Sequence, residues 1–372
     1  MRSQLDFADN IYHVSGAITE KTSGWQFIPS TNSGGNSYNA AEGYYPDKGG
    51  QLLGPPIPCG EFEFYKLSFD VKASENCHWG VSFYDNAGNR IVADVYSSVF
   101  GDDKKQHYEQ IVYGRENSAN MRSFFQSVKG MDVWDLRIIK ISPDETSSWC
   151  DELYKTLPSL SYIPAHDRLK KLPKTMDAMK TGKAWRIVML GDSIVNDTFN
   201  SNFQALLLRL YPKADLKFIC SVRGSTGCWY YREPGQFKAY VTDLKPDLLV
   251  IGGISHRNDI YAIREVIETT KRDVGCEIML LSGPLGKDWR KSDSADLNGE
   301  FSVQTWNIDP FAKKQMDLAS ELDIEYFDIS TIWNNYLGAS RKPPQWFHRD
   351  VLHGNDRGKQ ILGRILEAYF SR

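Results

Sequence analysis

The chain has no surplus of charge: 44 Lys plus Arg stand against 47 Asp plus Glu, a formal net charge of −3 over 372 residues. It has no basic run that would make a local field, so neither nucleic acid nor an anionic membrane is an expected partner. Nor does any stretch approach the roughly 18 consecutive apolar residues of a spanning helix. The opening residues, Met1-Arg2-Ser3-Gln4-Leu5-Asp6, lack the apolar core of a signal peptide. The expectation is a secreted or periplasmic protein whose signal peptide is absent from this chain, with a cytoplasmic protein as the alternative. Cysteine is sparse. Cys59, Cys77, Cys150, Cys220, Cys228 and Cys276 show no CxxC and no Cys/His spacing, which favours buried free thiols over a disulfide framework and calls for no metal or other cofactor.

What is present is ordinary globular material, 41% hydrophobic and 24% charged, in a chain long enough for two domains at roughly 100 to 200 residues each. The aromatic share is high at 13%, with 10 Trp and 19 Tyr. Most aromatics serve packing, yet a flat apolar face with a polar edge also suits a ligand of mixed polarity.

From about residue 61 to 142 the pattern has period two, as in strands with one buried face. Lys66-Leu67-Ser68-Phe69-Asp70-Val71-Lys72 alternates without a break, and Trp79, Val81 and Phe83 continue it. Asp85-Asn86-Ala87-Gly88-Asn89 supplies turn chemistry before Ile91, Ala93 and Val95 on a returning strand. Tyr108 to Tyr113, Ser123 to Val128 and Val133 to Ile141 are further strands, and the set predicts an antiparallel β-sandwich over residues 1–143. The first sixty residues, rich in Gly, Ser, Asn and Pro as at Ser30 to Ser37, are expected to wrap the sandwich in loops. Ser142 to Ser148 reads as a linker, and residues 144–182, with Pro158, Pro164 and Pro173, as an interdomain strap.

Residues 183–372 change texture. Ile187 to Leu190, Leu216 to Val222, Leu248 to Ile251, Ile278 to Leu281 and Ile324 to Phe327 are short apolar runs, as parallel strands covered on both faces require. Between and after them lie helical patterns at Asn202 to Leu210, Ile260 to Lys271, Pro310 to Leu322 and Gly358 to Phe370. The prediction is a doubly wound α/β domain with right-handed crossovers.

The first of these strands runs into Gly191-Asp192-Ser193, placing a serine where ligands sit in such a sheet, at a strand's carboxyl end and a helix's start. Asp350 lies three residues before His353, ahead of the last helix. That spacing lets the carboxylate orient the ring from one side while its other nitrogen meets a hydroxyl, and a serine without such a base is a poor nucleophile. The second strand empties into Arg223-Gly224-Ser225-Thr226-Gly227 and the third into Gly252 to Asp259, either of which can offer oxyanion donors.

These blocks resemble the SGNH (GDSL-type) hydrolase superfamily: GDS at 191 to 193, GxxG at 224 to 227, an Asn-containing loop after the third strand and DxxH at 350 to 353, in order, over about half the chain. The resemblance implies a flavodoxin-like five-stranded parallel sheet. It also implies Ser193 as nucleophile, His353 as general base and acid, Asp350 as its orienting partner, and the backbone N–H groups of Ser193 and Gly224 as oxyanion donors. The third block departs from the family's Gly-x-Asn: Ile254 to Arg257 separate Gly253 from Asn258. Asn258 is the expected third donor, with Ser255 or His256 as alternatives.

A sandwich ahead of such a domain resembles bacterial carbohydrate esterases, whose extra domain is often jelly-roll-like; this implies an acetylated glycan as substrate. His256, Trp229, Trp289 and Trp346 are the expected substrate contacts, with Trp306 and Tyr230 and Tyr231 nearby in the pattern and His348 at the rim. Lys287, Arg290 and Lys291 would suit a uronate carboxylate. On the sandwich, Trp25, Tyr44, Tyr45 and Trp79 are the aromatics to examine, Trp79 alternating with core positions. A lipase or thioesterase, or a glycan-binding protein with an inactive hydrolase half, are the alternatives.

Overall fold

The computed structural model describes residues 10–19, 21–28, 50–74, 77–126, 131–284, 310–350 and 352–371. The chain forms two compact units, Met1–Thr146 and Ser147–Arg372.

In the first unit, ten strands are described: β1 Asn10–His13, β2 Gln26–Ile28, β3 Gln51–Leu53, β4 Ile57–Pro58, β5 Phe64–Ala73, β6 Cys77–Tyr84, β7 Arg90–Val99, β8 Gln106–Tyr113, β9 Asn120–Gln126 and β10 Met131–Ile141. They pair antiparallel in two sheets, β1-β10-β5-β8 and β2-β3-β9-β6-β7, with β4 also on β9. The alternation read from the sequence builds the core between them. Leu67, Phe69 and Val71 of β5 are fully buried against Trp79, Val81 and Phe83 of β6, with Phe69 and Trp79 edge to face at 4.8 Å.

The β6–β7 turn forms as its residues dictate: Asp85 Oδ1 accepts from the amides of Ala87 (2.9 Å) and Asn89 (2.8 Å). Alternation on β7 fails locally, because the register shifts between Val81 and Phe83 and Ala93 adopts φ 85°, a bulge rather than a core position. Trp25 is buried and stacks on Phe125 at 5.8 Å, so it belongs to the core along with Trp79; Tyr44 and Tyr45 lie outside the described residues.

The segment read as a linker is the start of a helix, α1 Pro143–Lys155, and the unit boundary falls inside it. The reason is a capping box. Ser142 Oγ accepts from Glu145 N at 3.2 Å, Glu145 Oε2 accepts from Ser142 N at 2.8 Å, and Pro143 occupies the first helical position, where no N–H is needed.

The rest of the second unit runs α2 Pro173–Thr181, β11 Ala184–Gly191, α3 Ser193–Phe199, α4 Phe203–Leu210, β12 Asp215–Val222, α5 Cys228–Tyr231, α6 Pro234–Tyr240, β13 Leu248–Ile251, α7 Ile260–Asp273, β14 Glu277–Leu281, α8 Pro310–Glu321, β15 Glu325–Phe327, α9 Ile329–Ser340 and α10 Asp356–Phe370. The five strands form one parallel sheet in the order β12-β11-β13-β14-β15. That is the flavodoxin-like order, whose direction reverses at β11, the place where a crevice opens at the strands' carboxyl ends.

The residues expected as a strap belong to this unit from Ser147 onward. Glu277, opening β14, accepts from the amides of Lys174 and Thr175, both at 2.7 Å, and Glu325, opening β15, accepts from Leu169 N at 2.7 Å and Lys171 N at 3.2 Å. Trp185 Nε1 adds a bond to Thr175 Oγ1 at 3.0 Å. All six cysteines are free, with Cys77, Cys150 and Cys228 buried. Among the described residues no helix is long and apolar enough to cross a membrane.

Candidate active site

β11 ends at Gly191, and the next residue, Asp192, caps α3 from an extended conformation. Its buried carboxylate does two things. Oδ1 accepts from Ile194 N (2.9 Å) and Val195 N (3.4 Å), and Oδ2 accepts from Ile254 N and Ser255 N, both at 2.8 Å. One side chain thus fastens the helix that begins with Ser193 to the loop leaving β13. Gly253 makes the approach feasible, since it adopts φ 102° and a Cβ there would fall 2.6 Å from Asp192 Oδ1. Tyr231 braces the same corner, donating to Gly191 O at 2.6 Å and accepting from Arg223 N at 3.0 Å.

Ser193, half-buried at the start of α3, meets His353 from 160 positions away: Oγ lies 2.8 Å from Nε2. On the ring's other side Nδ1 lies 2.7 Å from Asp350 Oδ2. Asp350 Oδ1 accepts from Leu352 N (2.8 Å) and His353 N (2.7 Å), so the tight turn implied by three-residue spacing is closed by the carboxylate itself. Burial works against ionisation of Asp350, but the bond to His353, its charge, the Arg349 guanidinium and the His353 amide outweigh it and hold the carboxyl well below the usual carboxylate range. Asp350 therefore stays an acceptor, which sets the tautomer with the proton on Nδ1 and leaves Nε2 to take a proton from Ser193.

A second carboxylate, not singled out by sequence, holds this turn against α3. Asp197 lies one helical turn after Ser193; its Oδ1 is 2.9 Å from Arg349 Nη1 and its Oδ2 accepts from Gly354 N at 2.9 Å. Arg349 also donates to Gly354 O at 2.6 Å. The pair is almost wholly buried, with side chains 9% and 3% exposed. Asn355 closes the arrangement by capping α10 through Arg357 N and Gly358 N while donating to Trp346 O at 3.0 Å.

The remaining expected residues are placed as follows. Gly224 lies exposed in the loop after β12, next to Arg223, whose amide donates to Gly191 O at 3.0 Å. Asn258 is exposed in a left-handed turn at φ 56°, and no hydrogen bond among the described residues carries its side chain to Ser193. Ser255 is half-buried with its amide committed to Asp192.

His256 does not serve as a substrate contact. It is buried, accepts from Cys228 N on Nδ1 at 3.3 Å and donates from Nε2 to Gly252 O at 3.2 Å, so both nitrogens are used inside the fold and burial pushes its pKa down. His348 is not at the rim either; it is buried edge-on to Trp333 at 5.6 Å. Trp229 and Trp346 are half-buried, with one cation on the first ring and two on the second: Arg257 on Trp229 at 3.5 Å, Arg357 and Lys342 on Trp346 at 4.3 and 5.3 Å. Trp289, Trp306, Lys287, Arg290 and Lys291 lie outside the described residues. No group of three or more His, Cys, Asp or Glu among the described residues is placed to hold a metal ion.

No protein-family model and no curated protein sequence matches the chain. Solved structures do align with it. A two-domain esterase active on acetylated mannans, co-crystallised with mannopentaose, is 16% identical over 54% of this chain and 53% of its own, with a TM-score of 0.42. The acetyl xylan esterase AlAXEase is 16% identical over 50% of this chain and 99% of its own, with a TM-score of 0.38. A catalytic mutant of an acetylxylan esterase from Geobacillus stearothermophilus is 16% identical over 52% of this chain and 97% of its own, with a TM-score of 0.40. The match spans about half the length of the mannan esterase.

Proposed function

We propose that the chain is an SGNH-type serine esterase that removes O-acetyl groups from a polysaccharide or oligosaccharide. The single observation that carries this reading is the unbroken chain of bonds from Ser193 Oγ through His353 to Asp350, at 2.8 and 2.7 Å. A hydroxyl, an imidazole in the correct tautomer and an ionised carboxylate are what acyl transfer requires.

Ser193 Oγ attacks the acetyl carbonyl as His353 Nε2 takes its proton. The tetrahedral oxyanion is met by the backbone N–H groups of Ser193 and Gly224, with Asn258 or Ser255 supplying a third donor. His353 returns the proton to the departing sugar hydroxyl, leaving acetyl on Ser193. Water, deprotonated by the same ring, then releases acetate. Asp350 keeps the ring oriented and stabilises its charged form throughout. Trp229 and Trp346 border the glycan, as polar-edged aromatic walls do.

Acetate released from acetylated xylan, pectin, mannan and bacterial exopolysaccharides tests the reading, with Ser193→Ala as control. The expected result is release from at least one glycan, abolished in the variant with folding intact. Equal release by the variant refutes the mechanism. Faster turnover of octanoyl than acetyl esters would instead identify a lipase or thioesterase, and glycan binding without acetate release an inactive hydrolase half.

A further inference from the structure

We propose that Arg257, seated on Trp229, and Arg223, seated on Tyr230, form a carboxylate-recognising pair at the mouth of the site. The glycan they select carries uronate residues. The inference rests on the esterase reading of Ser193 and specifies its substrate.

Both arginines stand on the loops that flank the carboxyl end of β11. The Arg223 amide bonds Gly191 O, two residues before Ser193, and the Ser255 amide bonds Asp192, one residue before it. The two loops are packed together: a Cβ on Gly227 would fall 2.5 Å from Ser255 O, and Trp229 Nε1 donates to that same oxygen at 2.9 Å. The Trp229 ring is therefore fixed from behind, and Arg257 lies on it with the guanidinium carbon 3.5 Å from the ring centroid. Arg223 repeats the motif, 4.8 Å from the Tyr230 centroid and donating to Tyr230 Oη at 3.0 Å.

Both are exposed, and among the described residues neither forms an ion pair, while the Arg257 side chain makes no hydrogen bond either. The loops themselves, Arg223 to Tyr230 and Gly253 to Asn258, contain no acidic side chain. The carboxylates that border these loops in sequence are occupied: Asp192 by four amides, and Asp259 by capping α7 at Ala262 N. In a chain whose net charge is −3, two cations seated on neighbouring rings 6.1 Å apart, with no ion pair among the described residues, are a local departure from balance.

Backbone geometry points the same way. Arg257 and Asn258 are consecutive non-glycine residues at φ 56°, a conformation glycine adopts at lower cost, and the turn is closed by Asp259 N to His256 O at 2.9 Å. A turn needed only for the chain's course is met more easily by glycine at 257. A basic side chain in that conformation fits a role for it in binding. A stacked guanidinium spends its face on the ring and keeps its N–H edge free, and that edge matches a carboxylate with two parallel bonds. A uronate supplies that group on a sugar ring.

The test compares acetylated trigalacturonate with the same acetylated trisaccharide after its carboxyls are reduced. Wild-type kcat/KM is expected to favour the charged substrate by about tenfold or more, as a charge-assisted bond pair implies. Arg257→Met should remove most of that ratio, Arg223→Met a smaller part, and Arg257→Lys should retain some of it. The preference should shrink as salt is raised.

Calorimetry with unacetylated trigalacturonate and its reduced counterpart reads the same selectivity without any hydrolysis. Wild type binding both equally, or Arg257→Met keeping the preference with its Tm unchanged, overturns the proposal. Selective binding with no acetate release from any ester overturns the esterase reading and leaves the anion site standing. Hydrolysis without charge selectivity does the reverse.

Discussion

At the amino ends of β14 and β15, Glu277 and Glu325 gather backbone amides from residues 169–175, and at the carboxyl end of β11 Asp192 gathers four from α3 and the loop after β13. The device is the same at both ends: an acid next to a strand terminus, its two oxygens satisfying N–H groups that a helix start or an irregular loop leaves unpaired. What differs is the neighbour. Glu277 shares its carboxylate with the Thr175 hydroxyl, itself bonded to Trp185, all of it structural. Asp192 is followed at once by Ser193, whose hydroxyl reaches His353. A bond that only stabilises one end of the sheet sets, at the other, the position of Ser193, the proposed nucleophile, and of the loops that would hold an oxyanion.

The largest expected effect separates chemistry from scaffold. Asp350→Asn should lower kcat by about 10⁴, because an amide presents the wrong partner to His353 Nδ1 and disturbs the tautomer. The same variant has a pH signature in stability. The folded state holds Asp350 below its ordinary range, so the unfolded chain binds that proton more readily as pH falls. Its contribution is complete above the ordinary carboxylate range, roughly pH 4 to 5, and fades below it. Thermal melts of the two proteins should differ most at neutral pH, and the difference should shrink steadily as pH falls below about 4; a constant difference would refute this reading of the site.

Next comes the direct contrast of the two ends. Asp192→Asn replaces one acceptor oxygen by an NH₂ group facing N–H donors. Glu277→Gln does the same at the far end. Both should cost stability, on the order of 1 to 3 kcal/mol for each buried donor left unmatched. Only Asp192→Asn should also reduce kcat/KM, by about 10², the scale of a small misplacement of reacting groups. Melting curves and acetate kinetics on both variants decide it. If Glu277→Gln loses activity equally at temperatures where it is folded, the two ends are not functionally distinct.

Sequence reading reached this site unevenly, for physical reasons. Alternation along β5 and β6 and the apolar runs of β11 to β15 are periodic signals tied directly to burial, and the structure places strands there. The turn Asp350 to His353 is local, so its three-residue spacing was readable. Ser142-Pro143-Asp144-Glu145 was also readable as a capping box, yet its Pro and small polar residues equally fit a linker, and only the bonds distinguish them. His256 misled because a histidine in a predicted site loop looks available, whereas both of its bonds come from backbone groups that sequence does not display. Asp197 and Arg349, 152 positions apart, left no signal at all.

That pair gives the smallest and most discriminating effect. Asp197 joins the helix bearing Ser193 to the turn bearing His353 without touching either side chain, so it acts by positioning. Asp197→Asn keeps an oxygen for Gly354 N but removes the charge facing buried Arg349. The expected result is a kcat lowered about tenfold with KM nearly unchanged, because Trp229 and Trp346, the proposed substrate walls, stay in place while the Ser193 to His353 distance loosens. Arg349→Met should do likewise. If the two side chains act as one unit, the double variant should be no slower than either single variant, so that the losses fail to add. Additive losses, or an increase in KM alone, would show that the buried pair serves the fold and not the alignment of Ser193 with His353.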